Sequence, residues 1–216
     1  MHKFGFLEKS SELNVMCIGA HSDDIEIGCG GTILKLIDEI RKVQFNWIVF
    51  SGDETRKKEA EKSKDAFLPK NKVKKFDIKN FRESYFQYTG DSLKDYFEEL
   101  KTLSPDLIFT HYRNDAHQDH RLISDLTWNT FRDNFILEYE IPKYDGDLGV
   151  PNLFVHLDES IVQKKINYIL DIFKTQKEKK WFTEDTFRSI LRIRGVESNS
   201  PSRYAEAFHC RKIVLQ

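Results

Sequence analysis

Residues 15–31 of the chain read Val15-Met16-Cys17-Ile18-Gly19-Ala20-His21-Ser22-Asp23-Asp24-Ile25-Glu26-Ile27-Gly28-Cys29-Gly30-Gly31. The first six form a short apolar run of strand length, and they stop at a polar loop, residues 21–24. Within six residues the loop and its exit gather one imidazole and three carboxylates, His21, Asp23, Asp24 and Glu26. Behind the glycines, Ile33, Leu34, Ile37 and Ile40 recur at helical spacing. Strand, polar loop and helix make the opening unit of an α/β fold, and open α/β sheets bind ligands at the carboxyl ends of their strands.

The same alternation continues outward. Residues 45–50, 73–78 and 107–110 read as strands, and helices fall at 55–67, at about 91–103 and around Leu122, Leu126 and Trp128. Beyond residue 135, strands are expected near 137–141, 153–157 and 208–215, with helices near 161–173 and 184–192. Strands alternating with helices predict an α/β three-layer sandwich with a mostly parallel central sheet, in one domain over residues 1–216.

The composition agrees. Apolar residues make up 39% of the 216 and aromatics 13%, with 17 Phe, enough to fill a core, while 32% charged residues solvate the outside. With 34 basic against 35 acidic residues the net charge is -1, so nothing global attracts the chain to nucleic acid or to an anionic membrane. A small neutral or locally anionic substrate fits better, and a homo-oligomer stays open. No 20-residue apolar stretch suggests a membrane span. Cys17, Cys29 and Cys210 are an odd count without C-x-x-C spacing, pointing to a reducing compartment. The first 14 residues have no apolar signal-peptide core, so a cytoplasmic location is expected.

A second polar loop, Asn114-Asp115-Ala116-His117-Gln118-Asp119-His120, also follows a strand and enters a helix. His117 and His120 are three apart, which puts them on one face of the first helical turn. The two loops follow the first and fourth strands, neighbours in a 3-2-1-4-5 strand order. Two histidines and one carboxylate around an open position suit hydrolytic zinc, which lowers the pKa of a bound water to about 7 and polarises a carbonyl. Spacing leaves open whether Asp23 or Asp24 is the ligand; the other is then close enough to accept a proton.

At these residues the chain resembles the PIG-L/LmbE-like zinc-dependent N-deacetylases, which act on N-acetylglucosamine-type sugars and have a Rossmann-like fold. The resemblance rests on the His-x-Asp-Asp-x-Glu loop, residues 21–26, and the His-x-Asp-His motif, residues 117–120. Ser51-Gly52-Asp53 with Arg56 and Glu59, and Tyr204-Ala205-Glu206-Ala207-Phe208, match more weakly. Residues 135–200 carry no match. The resemblance implies one zinc ion per chain on His21, Asp24 and His120, Asp23 as general base, and His117 as the group that stabilises the oxyanion. It further implies that Asp119 orients a neighbouring imidazole and that Arg56 and Glu26 lie near the substrate. Ser22 stands where the family usually has proline, which leaves the loop less preorganised.

Several features have plainer uses. Gly28, Gly30 and Gly31 do not have dinucleotide-loop spacing and follow an anionic loop, so close helix packing is expected of them. Glu26 near a helix start equally suits the helix dipole. His111 ends the fourth strand beside the pocket. Phe81, Tyr85, Phe86 and Tyr88 are core or sugar-stacking candidates. The expected activity is hydrolysis of the N-acetyl group of an amino sugar or its conjugate. The alternatives are metal-dependent cleavage of another amide or a phosphodiester, and an inactive nucleotide- or phosphosugar-binding module.

Overall fold

The computed structural model describes residues 12–214. The leader reading over the first residues, and Leu215 of the expected last strand, lie outside them. The elements run β1 (Glu12–Gly19), α1 (Asp24–Glu39), β2 (Lys42–Val49), α2 (Glu54–Phe67), β3 (Val73–Ile78), α3 (Gly90–Leu100), β4 (Leu107–His111), α4 (Gln118–Thr130), β5 (Phe135–Tyr139), β6 (Leu153–Leu157), α5 (Glu159–Ile172), α6 (Glu184–Glu197) and β7 (Tyr204–Cys210).

The seven strands form one sheet in the order β3-β2-β1-β4-β5-β7-β6. β3, β2, β1, β4 and β5 are mutually parallel, and β7 runs antiparallel between β5 and β6. Alternation along β1 shows why three layers form. Val15 and Cys17 face a core shared with α1, α2, α5 and α6, whereas Met16 and Ile18 face a second core with α3 and α4. Both faces of the central strands are therefore buried, as parallel strands require. The architecture is the α/β sandwich that the alternation predicts, and the order reverses between β1 and β4, which pair in register from Val15↔Leu107 to Cys17↔Phe109.

Several strands shift by two or three residues from the sequence reading, and two boundaries differ in a way that bears on packing. α1 starts at Asp24, so the glycines lie inside the helix and not ahead of it. A glycine in a helix interior costs about 1 kcal/mol relative to alanine, and close packing offsets that here. A Cβ on Gly28 would sit 2.2 Å from the Tyr139 ring, one on Gly30 2.7 Å from Phe67, and one on Gly31 2.5 Å from Leu157. The last strand is Tyr204–Cys210, so it starts and ends earlier than the apolar tail suggests. Cys210 pairs with Leu137, and β5 begins at Phe135, so the sheet offers little to pair with beyond Cys210. Ile213 and Val214 are exposed instead.

Glu206 of β7 ties α1 to the antiparallel end of the sheet. Its carboxylate accepts hydrogen bonds from the Gly31 and Thr32 amides, the Thr32 hydroxyl and the buried Lys165 ammonium, all at 2.5–2.7 Å. Every charge in this buried set is hydrogen-bonded, which is the condition for burying it.

Candidate metal and catalytic site

The loops after β1 and β4 meet at the sheet's switch point. His21 and Asp23 come from the first and Asp24 from the start of α1 behind it; Asp115 and His117 come from the second and Asp119 and His120 from the first turn of α4, and β4 itself ends in His111. Local hydrogen bonds shape both loops. The Asp24 carboxylate turns back to accept the His21 amide at 2.6 Å. Asp115 Oδ1 accepts the His117 amide at 2.7 Å, and His117 is the N-cap of α4, its Nδ1 accepting from the Asp119 amide.

At the centre three donor groups converge. His21 Nδ1 lies 3.2 Å from His120 Nε2, and the two Asp24 oxygens lie 3.5 Å from one or the other imidazole. The far nitrogen of each ring rests on a carboxylate, His21 Nε2 on Asp119 at 3.2 Å and His120 Nδ1 on Asp115 at 2.9 Å. Asp119 is itself held by the amides of Ser84 and Phe86. Among the described residues, two overlapping sets of donors are close enough to share a cation: His21, His117 and His120, and Asp24, His111 and His120.

The charges follow from burial and neighbours. Burial pushes the Asp24 carboxyl up, but His120, His111 and His21 outweigh it and hold it well below the usual range. Burial and the facing His111 keep His120 neutral, with a pKa of about 3. Burial opposes charge on His21 as well, but Asp24 and Asp119 lift that imidazole to about 10. The carboxylates thus draw one positive charge into the middle of the cluster, here the His21 proton. A divalent cation would serve the same anionic oxygens, and the N, N, O donor set with carboxylate-backed imidazoles fits zinc.

Asp23 and Arg56 form the neighbouring part of the site. Asp53 caps α2 by accepting the Thr55 and Arg56 amides, which sets Arg56 at the first turn. Its guanidinium donates to Asp23 Oδ1 at 3.1 Å, Ser22 Oγ at 3.1 Å and Glu83 at 2.7 Å. Burial raises the Asp23 pKa while Arg56 pulls it back down. Ser22, at the position of the expected proline, anchors Arg56. The structure places Arg56 on Asp23 and not on open space.

Glu26, expected near the substrate, is fully buried on α1 and shows no exposed surface toward the site. Burial pushes its carboxyl well above the usual carboxylate range. Glu59 also turns inward, to Thr175. The candidate aromatics divide, Phe86 being fully buried and Tyr85 and Tyr88 exposed. His117 is half-buried; because Nδ1 accepts a hydrogen bond, its proton sits on Nε2, and burial together with the charge of His21 lowers its pKa.

Two contributors carry no assigned role in the sequence reading. Asp115 stands in the second motif loop, two residues before His117, and that position is the local signal for it. His111 accepts the Ala20 amide at 2.9 Å and lies 3.2 Å from both the Tyr139 hydroxyl and Asp24, so its Nε2 lone pair is already engaged.

A family model described as PIG-L, GlcNAc-PI de-N-acetylase, matches residues 16–131, more than half of the chain. The fold is similar to N,N'-diacetylchitobiose deacetylase from Pyrococcus horikoshii, with 26% identity and a TM-score of 0.68 over 92% of this chain and 83% of that one. It is also similar to a conserved protein of Thermus thermophilus, at 18% identity and TM-score 0.75, covering 94% and 97% of the two chains. The 4-carboxy-2-hydroxymuconate hydratase GalB from Pseudomonas putida shares the fold at 16% identity and TM-score 0.70, over 94% and 98%. Fold alone therefore does not select the reaction. The matched segment contains both histidine loops, and the chain belongs to the PIG-L (GlcNAc-PI de-N-acetylase) family.

Proposed function

We propose that this protein hydrolyses the N-acetyl group of an amino sugar or amino-sugar conjugate, with one zinc ion held by His21, Asp24 and His120. The observation that carries the reading is the pair of carboxylate-backed imidazoles whose free nitrogens face Asp24. His111 is excluded from the set because Nε2 accepts the Ala20 amide. His117 is set apart by its partial exposure and by its N-cap role. Zinc held there supplies an acidified water and a Lewis acid for the acyl carbonyl.

The chain's own groups do the rest. Asp23, kept basic by burial, accepts the proton of the attacking water and returns it to the amine as the C–N bond breaks, leaving acetate and a free amino sugar. His117 donates from Nε2 to the oxygen that becomes negative in the transition state. Asp119 and Asp115 hold the two imidazoles in place. A small-molecule substrate suits the near-zero net charge, and no helix of the described residues is long and apolar enough to cross a membrane.

The test is elemental analysis of the purified protein together with amine and acetate release from N-acetylglucosamine conjugates. Asp24→Ala and His120→Ala are expected to lose zinc, whereas Asp23→Asn keeps it and loses about 10²-fold or more in kcat. Full turnover without any metal, or zinc retained in both ligand variants, would overturn the reading.

A further inference from the structure

Lys143 lies on the loop between β5 and β6, in the stretch of sequence that carries no recognisable motif. Its side chain is only 9% exposed, although the segment is irregular. The ammonium sits 3.1 Å from Asp115 Oδ2, the same oxygen that meets His120 Nδ1, and it also pairs with Asp147 Oδ2. Asp147 in turn accepts the Ala116 amide at 2.6 Å. The contacts therefore close a ring: Asp147 to Lys143, Lys143 to Asp115, and the neighbouring Ala116 back to Asp147. From the other side Arg121 of α4 holds the carbonyls of Asp115 and Ala116.

We propose that Lys143 and Asp147 are positioning residues that brace Asp115 and thereby set how firmly His120 presents Nε2 to the metal. The inference rests on the ligand set given above and adds the groups that hold it from outside both motif loops. The charge balance explains the need for the ammonium. Asp115 and Asp147 are both largely buried, with side chains 3% and 10% exposed, and Lys143 lies against each. Removing one member of a buried ion set leaves the others uncompensated. Without Lys143 the two carboxylates face each other across its former position. Asp115 relieves that repulsion by turning away from His120, which costs the imidazole its support. Carboxylates that orient metal-bound histidines are commonly worth about 10–100-fold in metal affinity.

The experiment measures zinc affinity of the full-length chain by chelator competition and the visible spectrum of the cobalt(II) form. Lys143→Met is expected to weaken zinc binding by about 10-fold or more and to shift the cobalt bands, because the ligand field at His120 changes. Lys143→Arg restores affinity to within about 3-fold of the wild type, since it keeps the charge. Lys143→Met combined with Asp147→Asn recovers part of the loss, since the repulsive charge leaves with the ammonium, and the non-additivity measures the coupling. Asp147→Asn alone keeps an acceptor for the Ala116 amide and provides a folded variant if Lys143→Met is unstable; it is expected to weaken zinc by less than Lys143→Met. A loop that merely stabilises the fold would lower Tm while leaving zinc affinity and the cobalt spectrum unchanged. That outcome in Lys143→Met and Asp147→Asn overturns the brace while the wild-type protein still binds zinc. Failure of the wild type to bind either metal overturns the ligand set itself.

Discussion

Replacing Arg56 with Gln separates two roles that its position allows. The guanidinium lies 3.1 Å from Asp23, and the two side chains are 12% and 7% exposed, so the pair is mostly shielded from water. Opposite charges centred about 4 Å apart at an effective dielectric of about 20 interact by about 4 kcal/mol, or about three pH units at about 1.36 kcal/mol each. That is a ceiling, because Glu83 shares the guanidinium at 2.7 Å and is itself 46% exposed. An expected shift is about 1–2 units. Its sign follows from the two opposing effects on Asp23: burial already raises the pKa and Arg56 restrains it, so the substitution raises it further. The base works only when deprotonated. The acid limb of kcat/KM for amine release should therefore move to higher pH by about 1–2 units, with the rate recovering above the new limb. A residue that gripped substrate would instead raise KM at every pH and leave the limb in place. A pH profile superimposable on the wild type, with KM alone increased, would refute the pairing argument.

Gly28→Ala tests packing against propensity. Helix propensity alone predicts a gain of about 1 kcal/mol, but the new methyl would sit 2.2 Å from Tyr139, whose hydroxyl is tied to the Ile18 carbonyl at 2.7 Å. Overpacking of about 1–3 kcal/mol should win, giving a net loss in urea denaturation, while Gly90→Ala, which meets nothing within 4 Å, stays neutral or gains. His117→Ala should lower kcat far more than it changes KM and leave zinc content intact; loss of zinc would make His117 a ligand. His209, stacked on Tyr112, has its pKa lowered to about 4 by burial and by Arg194. The unfolded chain then binds more protons than the native one between about pH 4 and about 6.5, so stability should fall as pH drops through that window. His209→Phe should flatten this slope in denaturation midpoints taken across the same range.

Much of this molecule is legible in its sequence because the signals are local. The run 15–20 followed by a polar loop, and the repeat of that pattern before residue 114, are properties of consecutive residues, and the alternation of strand and helix periods needs no tertiary contact to be read. Adjacency of the two loops follows from the usual strand order, and β1 does pair with β4. Which atoms meet there is a different kind of information. Asp23 and Asp24 are adjacent and chemically identical, yet one carboxylate turns to Arg56 and the other lies among the imidazoles. Glu26 looks like a third site carboxylate in one dimension and is sealed inside α1's packing in three. Lys143 reaches Asp115 from a loop without a motif, and Glu206 reaches Gly31 across 175 residues of chain. The three glycines likewise lie inside a helix that local preference would have started after them, because Tyr139, Phe67 and Leu157 need the space. Backbone period is dictated by neighbours in the chain, but the partner of a side chain is chosen by strand register and layer packing, and those exist only once the sheet has closed its two cores.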